Sequence, residues 1–131
     1  MILSDSFPPL KSAASGMVDI LLEELNKCHS VFLFAASLDK SLSKENVFII
    51  NFLKEWRYQN NLKRIFFEIF NAFILTFLIF KKRKKINKID LIIWYSPSSF
   101  LWIPVFFGKI FFKSKVVMIQ RDIFPDWLYH I

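Results

Sequence analysis

Only two glycines, Gly16 and Gly108, occur in the 131-residue chain. A dinucleotide fingerprint needs three spaced glycines and a Walker loop needs two close together, so both phosphate-binding devices are excluded. A single cysteine, Cys28, allows neither an internal disulfide nor a zinc knuckle, which fits a reducing cytosol. At the end of a predicted helix, Cys28 reads as filler and not as a nucleophile. The two histidines, His29 and His130, have no companions at metal-ligand spacing, so no metal is expected. The first residues include no basic region followed by a long apolar run, and no secretory signal is expected.

Net charge is also scarce outside one place. The formal net charge is +7, and Lys81-Lys82-Arg83-Lys84-Lys85 supplies five of it, leaving +2 for the rest. A nucleic-acid surface wants a spread stripe of Lys and Arg with aromatics between them. A single block without interleaved rings argues against that partner.

What the chain has in excess is apolar side chains. They make up 54% of it, 17 of them Phe, where about 45–50% is usual for a soluble domain. Phe, Ile, Lys and Asn are all abundant, which is one explanation. Contact with a membrane or with a further domain is the other. The length suits one domain, able to bury roughly 70% of its unfolded surface.

The pattern alternates strands with helices. Ile2-Leu3 opens a short strand, which Ser4-Asp5-Ser6-Phe7-Pro8-Pro9 ends, because paired prolines cannot continue a ladder. Leu10 to Gly16 reads as a loop. A helix follows from Ala13 or Met17 to Asn26, with Met17, Ile20, Leu21 and Leu25 on its apolar face and Asp19, Glu23, Glu24 and Lys27 mostly opposite. Val31–Ala36 and Val47–Ile50 are the next strands, and Leu53–Asn61 is mixed. Leu62–Phe80 is a long helix, apolar nearly all round. Ile89–Tyr95 is a fourth strand. Ser96-Pro97-Ser98-Ser99 turns into a helix over Phe100–Phe112, with Ser as N-cap and Pro104 either kinking it or marking its first turn. Val116–Gln120 is the fifth strand, expected to be buried, and Pro125 opens another helix. Continuous apolar strands between helices predict an α/β fold, a parallel sheet with helices on both faces.

Three places can carry chemistry. The loop from Ser4 to Gly16 leads to a helix N-terminus, where backbone N–H groups can hold an anion, and Gly16 permits close approach. The plainer reading is that Gly16 relieves a tight junction. The apolar stretch Ile65–Phe80 is 16 residues, about 24 Å as a helix, short of the roughly 20 residues a full span needs. Arg64, Glu68 and Asn71 give it one polar stripe. A helix packed on the sheet is preferred over a spanning one. The Lys81–Lys85 block beside it is either a solvated loop or a contact with anionic lipid. Last, Arg121, Asp122 and Asp126 follow the fifth strand, where open parallel sheets bind ligands. Arg can clasp phosphate and Asp can act as a general base or hold a sugar hydroxyl, or the two can form an ion pair that stiffens the loop.

Ile2–Gly16 with its Phe-Pro-Pro, Ile89–Ser99 with its Tyr-Ser-Pro-Ser-Ser turn, and Arg121–Trp127, RDIFPDW, together resemble the start of bacterial family 4 glycosyltransferases of the WbuB-like group. The resemblance covers nearly the whole chain, and RDIFPDW is its most specific part. It implies the N-terminal, acceptor-side half of a two-domain GT-B fold with a Rossmann-like sheet, truncated before the domain that binds the nucleotide-sugar. It also implies retaining sugar transfer in cell-surface polysaccharide synthesis, with a nucleotide-sugar as substrate and no cofactor or obligatory metal. Ser15 and Gly16 would lie near the donor phosphates. Arg121 and Asp122 are the catalytic candidates, and Tyr95, Ser96 and Asp126 lie on the acceptor side. The implied partners are a lipid-linked or glycan acceptor and the second domain, supplied in the same or another chain. Lys81, Lys82, Arg83, Lys84 and Lys85 would touch an anionic membrane, so the chain is expected to be cytoplasmic, with peripheral contact at the inner face of the plasma membrane. The 131 residues alone are expected to be inactive. The competing expectation is a small peripheral membrane protein with an apolar helix and a basic anchor.

Overall fold

A computed structural model describes residues 1–9, 13–37, 45–51, 61–96 and 99–120. Five strands alternate with three α-helices in the order β1 (Ile2–Ser4), α1 (Ala13–Asn26), β2 (Leu33–Ser37), β3 (Val47–Asn51), α2 (Asn61–Ile86), β4 (Leu91–Ser96), α3 (Trp102–Phe112) and β5 (Lys115–Gln120). A single 3-10 turn, Ser99–Leu101, leads into α3. The strands form one sheet in the order β3-β2-β1-β4-β5, and all pairings are parallel. This is a Rossmann-like α/β fold, as the strand and helix pattern predicts.

The strand order explains the layers. The chain steps from β1 to β2 to β3 in one direction, then α2 carries it back past β1 to β4 and on to β5. Parallel crossovers are almost always right-handed, so a reversal of direction moves the connecting helices to the opposite face. Accordingly α1 covers one face, where Val18 and Leu22 pack with Ile2, Leu33, Ala35 and Ile49. Helices α2 and α3 cover the other, where Leu75, Ile79 and Val105 pack with Leu3, Phe34, Ile50 and Ile92. The two clusters take alternate residues of each strand, because strand side chains point to opposite faces in turn. The Met1 ammonium donates to the Leu91 carbonyl at 2.8 Å, and Ile93 N–H donates to the Met1 carbonyl at 2.8 Å, so β1 is central from its first residue.

Four local expectations need correction. Met17 and Ile20 are not on the buried face of α1; Met17 is 53% exposed. Ala14, Ser15, Val18 and Leu22 are buried instead, since small residues let the helix approach the sheet closely and rotate its larger ones outward. Helix α2 does not stop at Phe80: it runs through the basic block to Ile86, so Lys81–Lys85 form helical turns and not a loop. No serine caps α3; its N-cap position is Leu101, with no side-chain hydrogen bond, and Pro104 sits in the first turn, where its missing N–H costs no helical bond. Finally, β5 is not buried. It lies at the sheet edge, and Val117 and Met118 are 48% and 43% exposed. The strand has the composition of a central one but, among the described residues, only one strand partner.

Candidate functional site at the strand switch point

The strand order reverses between β1 and β4. In open α/β sheets that reversal leaves a crevice at the carboxyl ends of the two strands, and ligands bind there. Ser4 ends β1, paired in register with Tyr95 of β4. The Ser4 hydroxyl donates to the Ser6 carbonyl at 2.8 Å and accepts the Ser6 N–H at 3.2 Å. These bonds fold the chain sharply as it leaves the sheet. The loop is tied to the neighbouring strand by the Ser37 hydroxyl, which donates to the Pro8 carbonyl at 2.5 Å. The Pro8–Pro9 bond is cis.

Tyr95 is 2% exposed and packs with Phe7, Ala14 and Val18, beneath the start of α1. Its hydroxyl is buried and has no hydrogen-bond partner among the described residues. The Ser6 hydroxyl, in a residue 1% exposed, has none either. Each such group carries a desolvation penalty of about 1–3 kcal/mol, so it calls for a partner. Two further orphans lie on the opposite face, the Trp94 indole N–H beside Tyr95 and the Asn71 side-chain carbonyl. At 1.5 Å per residue, Asn71 stands about 22 Å along α2 from Ile86, level with the carboxyl ends of the strands. Four of the six orphaned atoms in the described residues thus belong to Ser6, Asn71, Trp94 and Tyr95, at or near this end of the sheet.

Ser15 and Gly16 do not lie in a loop. Both belong to the first turn of α1, Ser15 buried and Gly16 exposed with no heavy atom within 4 Å of an added Cβ. Gly16 has no positive φ, so neither backbone strain nor close approach demands a glycine there. The first-turn N–H groups of a helix lack intrahelical acceptors, which keeps this turn able to face an anion. Ser96 ends β4, paired with Gln120. Arg121, Asp122 and Asp126, with the rest of RDIFPDW, fall outside the described residues. Lys81–Lys85 are brought nowhere near the site, because α2 runs antiparallel to the strands and ends at their amino side. There Lys85 pairs with Glu45 at 3.6 Å and Lys82 stands over the Phe48 ring at 5.4 Å.

A cavity of about 400 Å³ opens at the amino ends of the strands, lined by Met1, Leu25, His29, Asp90 and Ile93 among others. Its walls are largely aliphatic, and it sits at the end of the sheet opposite the crevice. Among the described residues no group of three or more His, Cys, Asp or Glu could hold a metal ion. The sequence reading missed Ser6, Trp94 and Asn71. Asn71 had a signal, as the last member of the Arg64–Glu68–Asn71 stripe; that stripe continues by one turn into Leu75 and so turns toward the core. Comparison of the chain with family models, with curated proteins and with solved structures finds no match in any of the three.

Proposed function

We propose that this chain forms the acceptor-side half of a retaining glycosyltransferase of the GT-B type. It would move a sugar from a nucleotide-sugar to a lipid-linked or polysaccharide acceptor in cell-surface polysaccharide synthesis. The observation that carries this reading is a pair of buried hydroxyls, Tyr95 and Ser6, without a partner among the described residues, at the switch point of a parallel sheet. Sugar rings offer hydroxyls that both donate and accept, which is what such groups require. Tyr95 and Ser6 would fix the orientation of a ring, and the first turn of α1 would face a phosphate. The RDIFPDW segment follows β5 in the sequence, and Arg121 and Asp122 remain its candidates for phosphate and proton chemistry.

One wall of a cleft cannot hold both reactants in a reactive geometry. The 131-residue polypeptide is therefore expected to bind but not to turn over. The test is ligand-observed NMR on the folded chain with nucleotide-sugars, nucleoside diphosphates and short oligosaccharides. Saturation transfer to a sugar ring that Tyr95→Phe and Ser6→Ala weaken supports the proposal. No transfer to any of them, or transfer that neither substitution changes, refutes it.

A further inference from the structure

Helix α2 hides one side against the sheet and leaves the other bare. Phe66, Phe70, Phe73, Phe77 and Phe80 recur at alternating steps of four and three, the spacing that keeps side chains on one helix face. All five are exposed, from 45% at Phe80 to 71% at Phe66. Helix α3 continues the surface. The rings of Phe80, Phe111, Phe107, Phe106 and Trp102 follow one another with centroids 5.7, 6.0, 5.8 and 6.4 Å apart. Trp102, Phe106 and Ile110 point outward from α3, each more than half exposed. Two helices thus present one unbroken aromatic surface, far more than the isolated apolar residues every protein exposes.

The charges around this surface select its occupant. Residues 65–86 and 102–113 carry seven Lys and Arg against one acidic residue, Glu68. Within the block the roles divide. Lys82 and Lys85 turn toward β3, over Phe48 and onto Glu45, and fasten the end of α2. Lys84 stands four residues after Phe80, in line with the Phe stripe, and Lys81 stands four residues after Phe77. The Arg83 guanidinium lies 4.2 Å from the Phe80 ring centre. A second copy of the chain would bring a like-charged face against this one. An anionic bilayer offers the opposite charge and an apolar interior for the rings. Among the described residues no helix is long and apolar enough to cross a membrane, so the helices would lie in its surface.

We infer that the α2–α3 face is a membrane-docking surface for anionic phospholipid. Phe66, Phe70, Phe73, Phe77, Trp102 and Phe106 enter the interface, and Lys81, Arg83 and Lys84 hold the headgroups. This inference stands independently of the sugar-transfer proposal, because it uses no residue of the switch-point crevice.

The experiment is vesicle flotation of the full chain with phosphatidylcholine alone and with phosphatidylcholine–phosphatidylglycerol mixtures. Three variants accompany it: Lys81→Gln/Arg83→Gln/Lys84→Gln, Phe73→Ser/Phe77→Ser and Trp102→Phe. All alter exposed side chains, and circular dichroism confirms folding. The chain should float with the anionic vesicles only. The triple Gln variant should lose on the order of 100-fold in partitioning, at about fivefold per charge near the surface. The Phe→Ser pair should lose at least tenfold. Brominated lipid should quench the emission of the parent chain more than that of Trp102→Phe. Failure of the folded parent chain to float overturns the inference, as does flotation that neither the Gln nor the Ser variant weakens. A dimer that Phe73→Ser/Phe77→Ser dissolves, without vesicle binding, overturns it in favour of a second copy.

Discussion

Gly108 allows a test of how α3 is seated. A Cβ added there would stand 3.1 Å from Ile92 Cδ1 and 3.2 Å from Met1 Cε. Carbon atoms pack best at about 3.5–4.0 Å, so both neighbours would have to give way by several tenths of an ångström. Met1 ends in a flexible thioether and yields easily. Ile92 is fully buried and β-branched, so it yields less. Alanine gains about 1 kcal/mol over glycine in a helix, while overpacking costs about 1–3 kcal/mol. Gly108→Ala should therefore cost a net ~1 kcal/mol. Ile92→Val removes the obstructing Cδ1 and alone should cost about 0.5–1.5 kcal/mol. Combined, the two should cost less than their sum, because the deleted methyl is the one the new Cβ meets. The expected coupling is about 0.5–2 kcal/mol in favour of the double variant. Urea unfolding of the four proteins of the cycle measures it. Costs that add to within about 0.3 kcal/mol would show that Gly108 does not rest on Ile92, and the seating of α3 on β4 would be wrong.

The orphaned polar groups and the amino terminus give further expectations. Tyr95→Phe and Asn71→Leu should each raise stability by about 1 kcal/mol in ligand-free protein, since each removes a buried oxygen without a partner among the described residues; a loss above 1 kcal/mol in thermal unfolding would mean the oxygen is satisfied. The Met1 ammonium has its pKa lowered from 8.0 to about 6, chiefly by burial, with Asp90 opposing. Between those values the unfolded chain holds more protons than the folded one, so stability rises with pH across the window and the penalty is complete below it. The shift corresponds to roughly 2–3 kcal/mol. Nα-acetylated and free polypeptide should therefore converge above pH 8 and diverge below pH 6, the acetylated form being the more stable; a constant difference across urea titrations at both pH values would contradict the burial of the charge.

The architecture was legible in the chain because its strands are short apolar runs with many β-branched residues, separated by helix-length segments. Nothing of that kind distinguishes an edge strand from a central one, and Val116–Gln120 reads as buried for this reason. The rotation of α1 escaped because Ala14 and Ser15, which face the sheet, carry little hydrophobic signal. In α2 the two sides are similar in hydropathy, so the sheet-facing Leu75 and Ile79 could not be told from the outward Phe stripe by composition. Tyr95, at the end of the fourth strand, was named only through the resemblance carried by its Tyr-Ser-Pro-Ser-Ser turn. Ser6, a small hydroxyl in a polar loop, has no local feature that marks it as buried. Arg121, Asp122 and Asp126 bear the most specific sequence signal and lie outside the described residues.

The central position of β1 has a consequence for biosynthesis. Met1 to Ser4 are made well before β4, one of their two strand neighbours, which begins at Leu91. At about 5–20 residues per second, the interval before that neighbour exists is roughly 5–18 s. During it, β2 can pair one edge of the nascent strand, while the other edge and the apolar Met1, Ile2 and Leu3 stay open to wrong partners. The sheet closes from its middle, and β1, made before the other four strands, is among the last to be enclosed. A cell making this chain must shield an apolar strand until β4 has been made.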